Sequence, residues 1–244
     1  LLGRENPEFA FTTFAAIDGE VPSDPKSCDG WLITGSRHGV YERLPWMAKL
    51  SELIRSAVAA KVPVVGICFG HQIMADALGG KVEKSDRGWG IGLHEYTVKA
   101  PAGAPGDVPA TITVPAVHQD QVVALPPGAT VVAASDFCPY AAIAYDDTGL
   151  SFQGHPEFSE AYQRDLIAAR RDTIIPAPVA DAGLASLGKK RPDTALIARW
   201  IGRFLQARRR KAASSAMSPG AAMPKASPRN SFSSASSTSR PRRA

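Results

Sequence analysis

Val62-Pro-Val-Val-Gly-Ile-Cys68-Phe-Gly-His-Gln72, running on as Ile73-Met-Ala-Asp-Ala-Leu-Gly79-Gly80, decides how the rest of the chain is read. Its first half is short, apolar and β-branched, the pattern of a parallel strand buried on both faces. Its second half predicts a helix that stops at the glycine pair. Cys68 therefore falls on the turn between strand and helix, with Gly66 and Gly70 on either side of it. Glycines at those spacings suit a turn so sharp that neighbouring side chains would clash. The turn also presents the thiol at a helix N-terminus, where the dipole and free backbone N–H groups favour thiolate and can hold an oxyanion. A buried core thiol is the plain alternative, since free cysteine is among the most buried residue types. The paired glycines and the strand-to-helix setting favour a nucleophile.

A chain of 244 residues with 44% hydrophobic content can bury one large core or two small ones. Its three cysteines, Cys28, Cys68 and Cys138, are odd in number and widely spaced, which suggests neither a disulfide framework nor a zinc site. A reducing, cytoplasmic setting is the default for such a chain. No apolar run approaches membrane-spanning length and no signal peptide opens the sequence, so no membrane partner is expected. The net charge of +5 is unevenly placed: residues 208–244 hold nine basic side chains and no acidic one. Residues 1–207 carry 19 basic against 23 acidic side chains, so the expected folded part is mildly acidic and its charge is no argument for nucleic-acid binding.

In chain order, residues 9–16 read as a strand and residues 30–34 as a second, ending in the loop Gly35-Ser-Arg-His-Gly39. Open α/β sheets place ligands at such carboxyl ends of strands. Residues 45–60 carry Trp46, Leu50, Leu53, Ile54, Ala57 and Val58 at helical spacing. Residues 81–99 alternate and read as a hairpin or added sheet. Short strands are expected at 111–114, 130–134 and 140–145, and a last one in Leu150-Ser-Phe-Gln-Gly-His155-Pro-Glu157-Phe158. A helix through about residue 175, a Pro/Ala loop and a helix over 194–207 complete a single domain of residues 1–207. Residues 208–244 are Ser/Ala/Pro/Arg-rich and aperiodic, and read as a disordered tail.

A thiol attacking an amide needs a base that takes its proton and returns it to the leaving amine, and a third group that holds the base. The histidines are His38, His71, His94, His118 and His155. His71 lies on the elbow helix and is expected to point away from Cys68. His155 ends a strand with Glu157 two residues on and Pro156 between them, which suits base plus orienter. His118, close to Asp120, is the rival base, and spacing alone does not separate the two. Arg37 and His38 follow Gly35 and could meet a substrate carboxylate as readily as form a solvated loop. Trp89 is either a pocket wall or a core aromatic.

Gly66-Ile-Cys68-Phe-Gly-His-Gln72 followed by Gly154-His155-Pro-Glu157, together with Ile33-Thr-Gly35-Ser and His118-Gln-Asp120, resembles the class I, triad glutamine amidotransferases over residues 9–175. The resemblance implies an open, mostly parallel α/β sheet flanked by helices, of flavodoxin-like architecture. It implies Cys68 as nucleophile, His155 as base and Glu157 as orienter, with the backbone N–H groups of Gly35 and Phe69 as oxyanion hole. It implies glutamine held by Gln72 and by backbone at Gln119 and Asp120, with no metal and no cofactor. The Gly-Ser-Arg-His loop, Gly154 in place of the family's frequent phenylalanine, and the lack of a following synthetase domain look more like stand-alone amidotransferase-like proteins and γ-glutamyl peptidases. The family's first strand is expected to be missing from a chain that opens at Leu1. The expected activity is hydrolysis of glutamine or a related γ-glutamyl amide through a γ-glutamyl thioester. Cleavage of γ-glutamyl peptides, or service as the glutaminase of a separate synthetase, are the alternatives.

Overall fold

In a computed structural model, the described residues are 1–99 and 108–216, with side chains through residue 207. The chain runs α1 (Leu2–Glu5), β1 (Trp31–Ile33), α2 (Pro45–Ala59), β2 (Val64–Ile67), α3 (Phe69–Ala77), β3 (Lys81–Lys84), β4 (Gly90–Val98), β5 (Thr111–His118), β6 (Asp120–Ala124), β7 (Ala129–Ala134), β8 (Ala142–Tyr145), β9 (Gly149–Phe152), α4 (Glu160–Arg170), α5 (Ala177–Ser186) and α6 (Thr194–Ala216). Two 3-10 turns, Ala16–Asp18 and Val40–Glu42, sit in the loops around β1.

The main sheet has the order β1-β2-β9-β8-β7-β4-β5, and β3 pairs with β6 in a separate ribbon. β1, β2 and β9 pair in parallel, while β9-β8, β8-β7, β7-β4 and β4-β5 are antiparallel. Because each antiparallel step reverses direction, β7 and β5 point the same way as β1, β2 and β9, and only β8 and β4 oppose them. The sheet is thus mostly parallel in strand direction, with its parallel pairs gathered at the end that carries Cys68.

β2 is buried on both faces because both are covered. Val64 packs with Leu53, Ile54 and Met74 of α2 and α3, while Val65 packs with Ile197 and Trp200 of α6. Trp200 closes edge-on against Phe152 of β9, ring centroids 5.6 Å apart. A third cluster, Ile91, Val117, Ile167 and Ala180, fastens α4 and α5 to the β4–β5 end. Among the described residues, no helix is long and apolar enough to cross a membrane.

Several elements differ from their sequence expectation. Residues 9–16 form no strand: Phe11 and Phe14 are exposed, and Phe14 leans on Trp31 with ring centroids 5.9 Å apart. Phe14 packs there as a single side chain against β1, and no ladder forms. The helix after Glu157 stops at Arg170, where Asp172 takes φ 58° and the chain turns to the Arg171–Ile175 bridge. The Pro/Ala stretch contains α5, begun by Pro176 and Pro178, residues that break a helix interior but are tolerated at its first turn. β5 runs on to His118, and β6 follows at once, because Gln119 forms a bend that redirects the chain from the main sheet to β3. α6 continues through Ala216, so residues 208–216 extend a helix expected to end at 207. The rest of the expected tail, residues 217–244, lies outside the described residues.

Candidate active site

Cys68 sits where β2 hands over to α3, with φ 53° and ψ −104°, a strained backbone for a residue with a side chain. The two glycines make the turn possible. A Cβ on Gly66 would lie 2.4 Å from the Gly70 carbonyl oxygen, and one on Gly70 would lie 2.1 Å from the Ile33 carbonyl oxygen. Both are contacts with backbone, so nothing flexible can move aside. β2, the elbow and β1 are thereby pressed together, and the Cys68 thiol is left 7% exposed at the start of α3. The Gln72 amide closes the first helical bond to the Cys68 carbonyl, at 3.0 Å. The amide of Phe69 precedes that ladder and has no intrahelical partner.

β9 runs parallel to β2 and delivers His155 to the same end of the sheet. The His155 side chain hydrogen-bonds Cys68, and its Nδ1–H donates to Glu157 Oε1 at 2.7 Å. Phe158 stacks on the imidazole with centroids 4.0 Å apart and planes within 8°. Burial by itself would lower the imidazole's pKa. The hydrogen bonds to Cys68 and Glu157, with their charges, outweigh it and push His155 up to about 9. The backbone amide of His155 donates to the Pro115 carbonyl at 2.7 Å, and a Cβ on Gly154 would meet Val114 Cγ1 at 2.7 Å. A bare backbone at Gly154 is what lets β5 pass so close.

Gly35 reaches the site from the carboxyl end of β1. A Cβ placed on it would lie 2.9 Å from His155 Cε1 and 3.7 Å from Cys68 Cβ. Gly35, Cys68, Phe69 and His155 therefore share one small space, brought together from β1, β2, α3 and β9.

The residues expected to hold substrate form the adjoining wall. Gln72 is buried, and its Nε2 donates to the Asp120 carbonyl at 3.0 Å and to Gln153 Oε1 at 3.3 Å. Its amide thus ties α3 to the 119–120 bend. Gln119 accepts the Ser85 amide through its carbonyl at 3.1 Å. Asp120 is half-buried; burial raises its carboxyl, and Tyr41 donates a 3.2 Å hydrogen bond to its Oδ1 that works the other way.

His118 and His71 do not compete for Cys68 as placed. His118 Nδ1–H donates to the Asp120 carbonyl at 3.3 Å, and burial drives the ring down to about 3, so it is neutral at ordinary pH. His71 lies on α3 facing β9, its Nδ1 2.8 Å from Ser151 Oγ, and burial again holds it near 3. Trp89 packs with the Ile91–Val117 cluster, and His38 Nδ1–H donates to Glu42 Oε2 at 2.8 Å. Phe158, Gln153 and Tyr41 escaped the sequence reading. Phe158 alone carried a local signal, an aromatic directly after His-Pro-Glu. Gln153 and Tyr41 are named only by their contacts.

The family model of the class-I glutamine amidotransferases matches residues 12–171. Gamma-glutamyl peptidase 2 of Arabidopsis thaliana is 31% identical over 202 residues, 80% of this chain and 82% of that protein. One component of the glutamine-hydrolyzing GMP synthase of Halobacterium salinarum is 33% identical over 159 residues, 64% of this chain and 80% of that one. The crystal structure of a glutamine amidotransferase from Methylobacillus flagellatus superposes with a TM-score of 0.65 at 26% identity, covering 86% of this chain and 87% of that one. The chain belongs to the class-I glutamine amidotransferase family.

Proposed function

We propose that the chain is a cysteine amidohydrolase acting on γ-glutamyl amides. The observation that carries this reading is the buried Cys68 on a strained elbow, hydrogen-bonded to a His155 that Glu157 holds in turn. In the reaction the Cys68 thiolate adds to the γ-carbonyl carbon, and the oxyanion is met by the amides of Phe69 and Gly35. The C–N bond breaks as His155 gives its proton to the leaving nitrogen. A γ-glutamyl thioester remains on Sγ. Water then attacks with His155 accepting its proton, glutamate leaves with a free γ-carboxylate, and the thiol is restored. The raised pKa of His155 supports its part as proton donor to the amine. Gln72 holds the Gln119–Asp120 bend against which the glutamyl arm rests.

The relatives favour a second, narrower form of this reading. Alignment along most of its length with a protein named a γ-glutamyl peptidase supports a peptide bond to the γ-carboxyl as the bond cut. Alignment with a component of a GMP synthase supports the other form, a glutaminase that feeds ammonia to a separate synthetase.

Incubation with 6-diazo-5-oxonorleucine, a glutamine analogue that alkylates nucleophiles, tests the assignment by peptide mass mapping. Stoichiometric labelling of Cys68 with loss of turnover is expected. Labelling elsewhere, or full activity in Cys68→Ala, would sink the mechanism.

A further inference from the structure

We propose that Arg37 selects substrates whose leaving group carries a carboxylate, an inference that rests on the reading of Cys68 and His155 above. The tetrahedral adduct assigns a direction to each substituent. Sulfur belongs to Cys68, the oxyanion to the Phe69 and Gly35 amides, and the glutamyl arm to the wall of Gln72 and Asp120. The nitrogen must face His155, which protonates it as the C–N bond breaks. The leaving group therefore departs along the wall where the loop after β1 meets the imidazole, the point at which a Cβ on Gly35 would stand 2.9 Å from His155 Cε1.

From that point the chain continues through Ser36 to Arg37. The polar groups around Arg37 are spoken for. Ser36 Oγ accepts the His38 amide at 3.2 Å, the His38 ring donates to Glu42 Oε2 at 2.8 Å, and the Gly39 amide donates to Glu42 Oε1 at 2.7 Å. These bonds hold the loop in place and occupy both oxygens of Glu42, the acid that senses Arg37 through space. Arg37 itself is exposed, and no hydrogen bond or ion pair within 4.0 Å joins it to another described residue. A guanidinium offers a planar pair of donors that matches a carboxylate, and this one is carried two residues beyond Gly35 on the loop that meets the imidazole.

The chemistry distinguishes the two substrate types. Glutamine releases ammonia, which has nothing for Arg37 to hold. A γ-glutamyl amino acid releases an amine whose α-carbon bears a carboxylate, one carbon away from the departing nitrogen. The same steps apply to both: the thioester forms, the proton passes from His155 to nitrogen, and water later releases glutamate. Only the second type engages the cation.

The test compares γ-glutamyl-alanine with γ-glutamyl-alaninamide, identical but for the carboxylate, on the full-length wild type, Arg37→Ala and Arg37→Lys. The wild type is expected to favour the free acid in kcat/KM by about tenfold, the range of one hydrogen-bonded charge. Arg37→Ala is expected to bring that ratio close to one, and Arg37→Lys to an intermediate value. Because the measure is a ratio, a general disturbance of the neighbouring oxyanion loop cancels from it. A wild-type ratio near one, or an unchanged ratio in Arg37→Ala, would overturn the role of Arg37 while leaving Cys68-dependent hydrolysis intact. Failure of the wild type to cleave either peptide or glutamine would overturn the amidohydrolase reading, and this inference with it.

Discussion

His155 Nδ1 and Glu157 Oε1 lie 2.7 Å apart across Pro156, and the same imidazole hydrogen-bonds Cys68. An imidazole and a carboxylate joined two residues apart on one turn have little room for independent motion, so, in the proposed roles of base and orienter, the ring is aimed before substrate arrives. His155→Ala is expected to cost as much kcat as Cys68→Ala, on the order of 10⁶-fold, and Glu157→Ala about 10⁴-fold, since groups that act as a unit are non-additive and the orienter is the most dispensable. Steady-state rates on γ-glutamyl-alanine check this. A larger loss in His118→Ala than in His155→Ala would force reassignment of the base.

Stability should peak near neutral pH and fall on both sides. His155 is raised from its ordinary 6.5 to about 9, so its contribution is complete below about 6.5 and is lost as pH rises through 9. His71 and His118 are lowered to about 3; between 6.5 and 3 the unfolded chain binds protons that the folded one refuses, so acid destabilises the fold. Melting temperatures measured from pH 5 to 9.5 test both limbs. Glu157→Gln should flatten the alkaline limb and His118→Asn the acid limb; an alkaline limb unchanged in Glu157→Gln would contradict the assignment.

Gly70→Ala and Gly154→Ala should damage the protein in different degrees. At Gly70 the new methyl meets the Ile33 carbonyl oxygen at 2.1 Å, a backbone atom fixed by β1. At Gly154 it meets Val114 Cγ1 at 2.7 Å and the Pro115 carbonyl oxygen at 3.0 Å, a less severe conflict. Overpacking of this kind costs about 1–3 kcal/mol, and Gly70→Ala is expected at or above the top of that range. Urea unfolding that ranks Gly154→Ala as the worse of the two would show that the β1–elbow contact yields more easily than its backbone packing implies.

Gln72→Ala should act on binding more than on chemistry. The Gln72 amide holds the Asp120 carbonyl at 3.0 Å and touches neither Cys68 nor His155 through any of its side-chain hydrogen bonds. A rise in KM for γ-glutamyl-alanine of about tenfold with kcat changed less is the expected pattern, the cost of one hydrogen bond to the substrate wall. A fall in kcat at constant KM would place Gln72 in the transition state instead.

The local features of the site were legible in the one-dimensional chain. A β-branched run, glycines at 66 and 70 and a helix ending at Gly79-Gly80 specify a strand–elbow–helix by local sterics alone, and β2 and α3 form there. Helix α2 was equally plain, because its apolar spacing repeats over the whole element. What no stretch of sequence contains is which distant pieces meet. Whether His155 or His118 faces Cys68 is decided by β9 lying parallel beside β2, while the Gln119 bend turns His118 into a buried contact with Asp120. The antiparallel placing of β4, β7 and β8 likewise depends on pairing between strands, which no single strand's own sequence specifies. Residues 9–16 show the reverse error: aromatic, β-prone residues that form no strand even beside the edge strand β1, because propensity alone does not supply the pairing that makes a strand. Backbone sterics are local and can be read from neighbours in the chain; hydrogen-bond pairing and burial are relations between segments, and only the folded structure sets them.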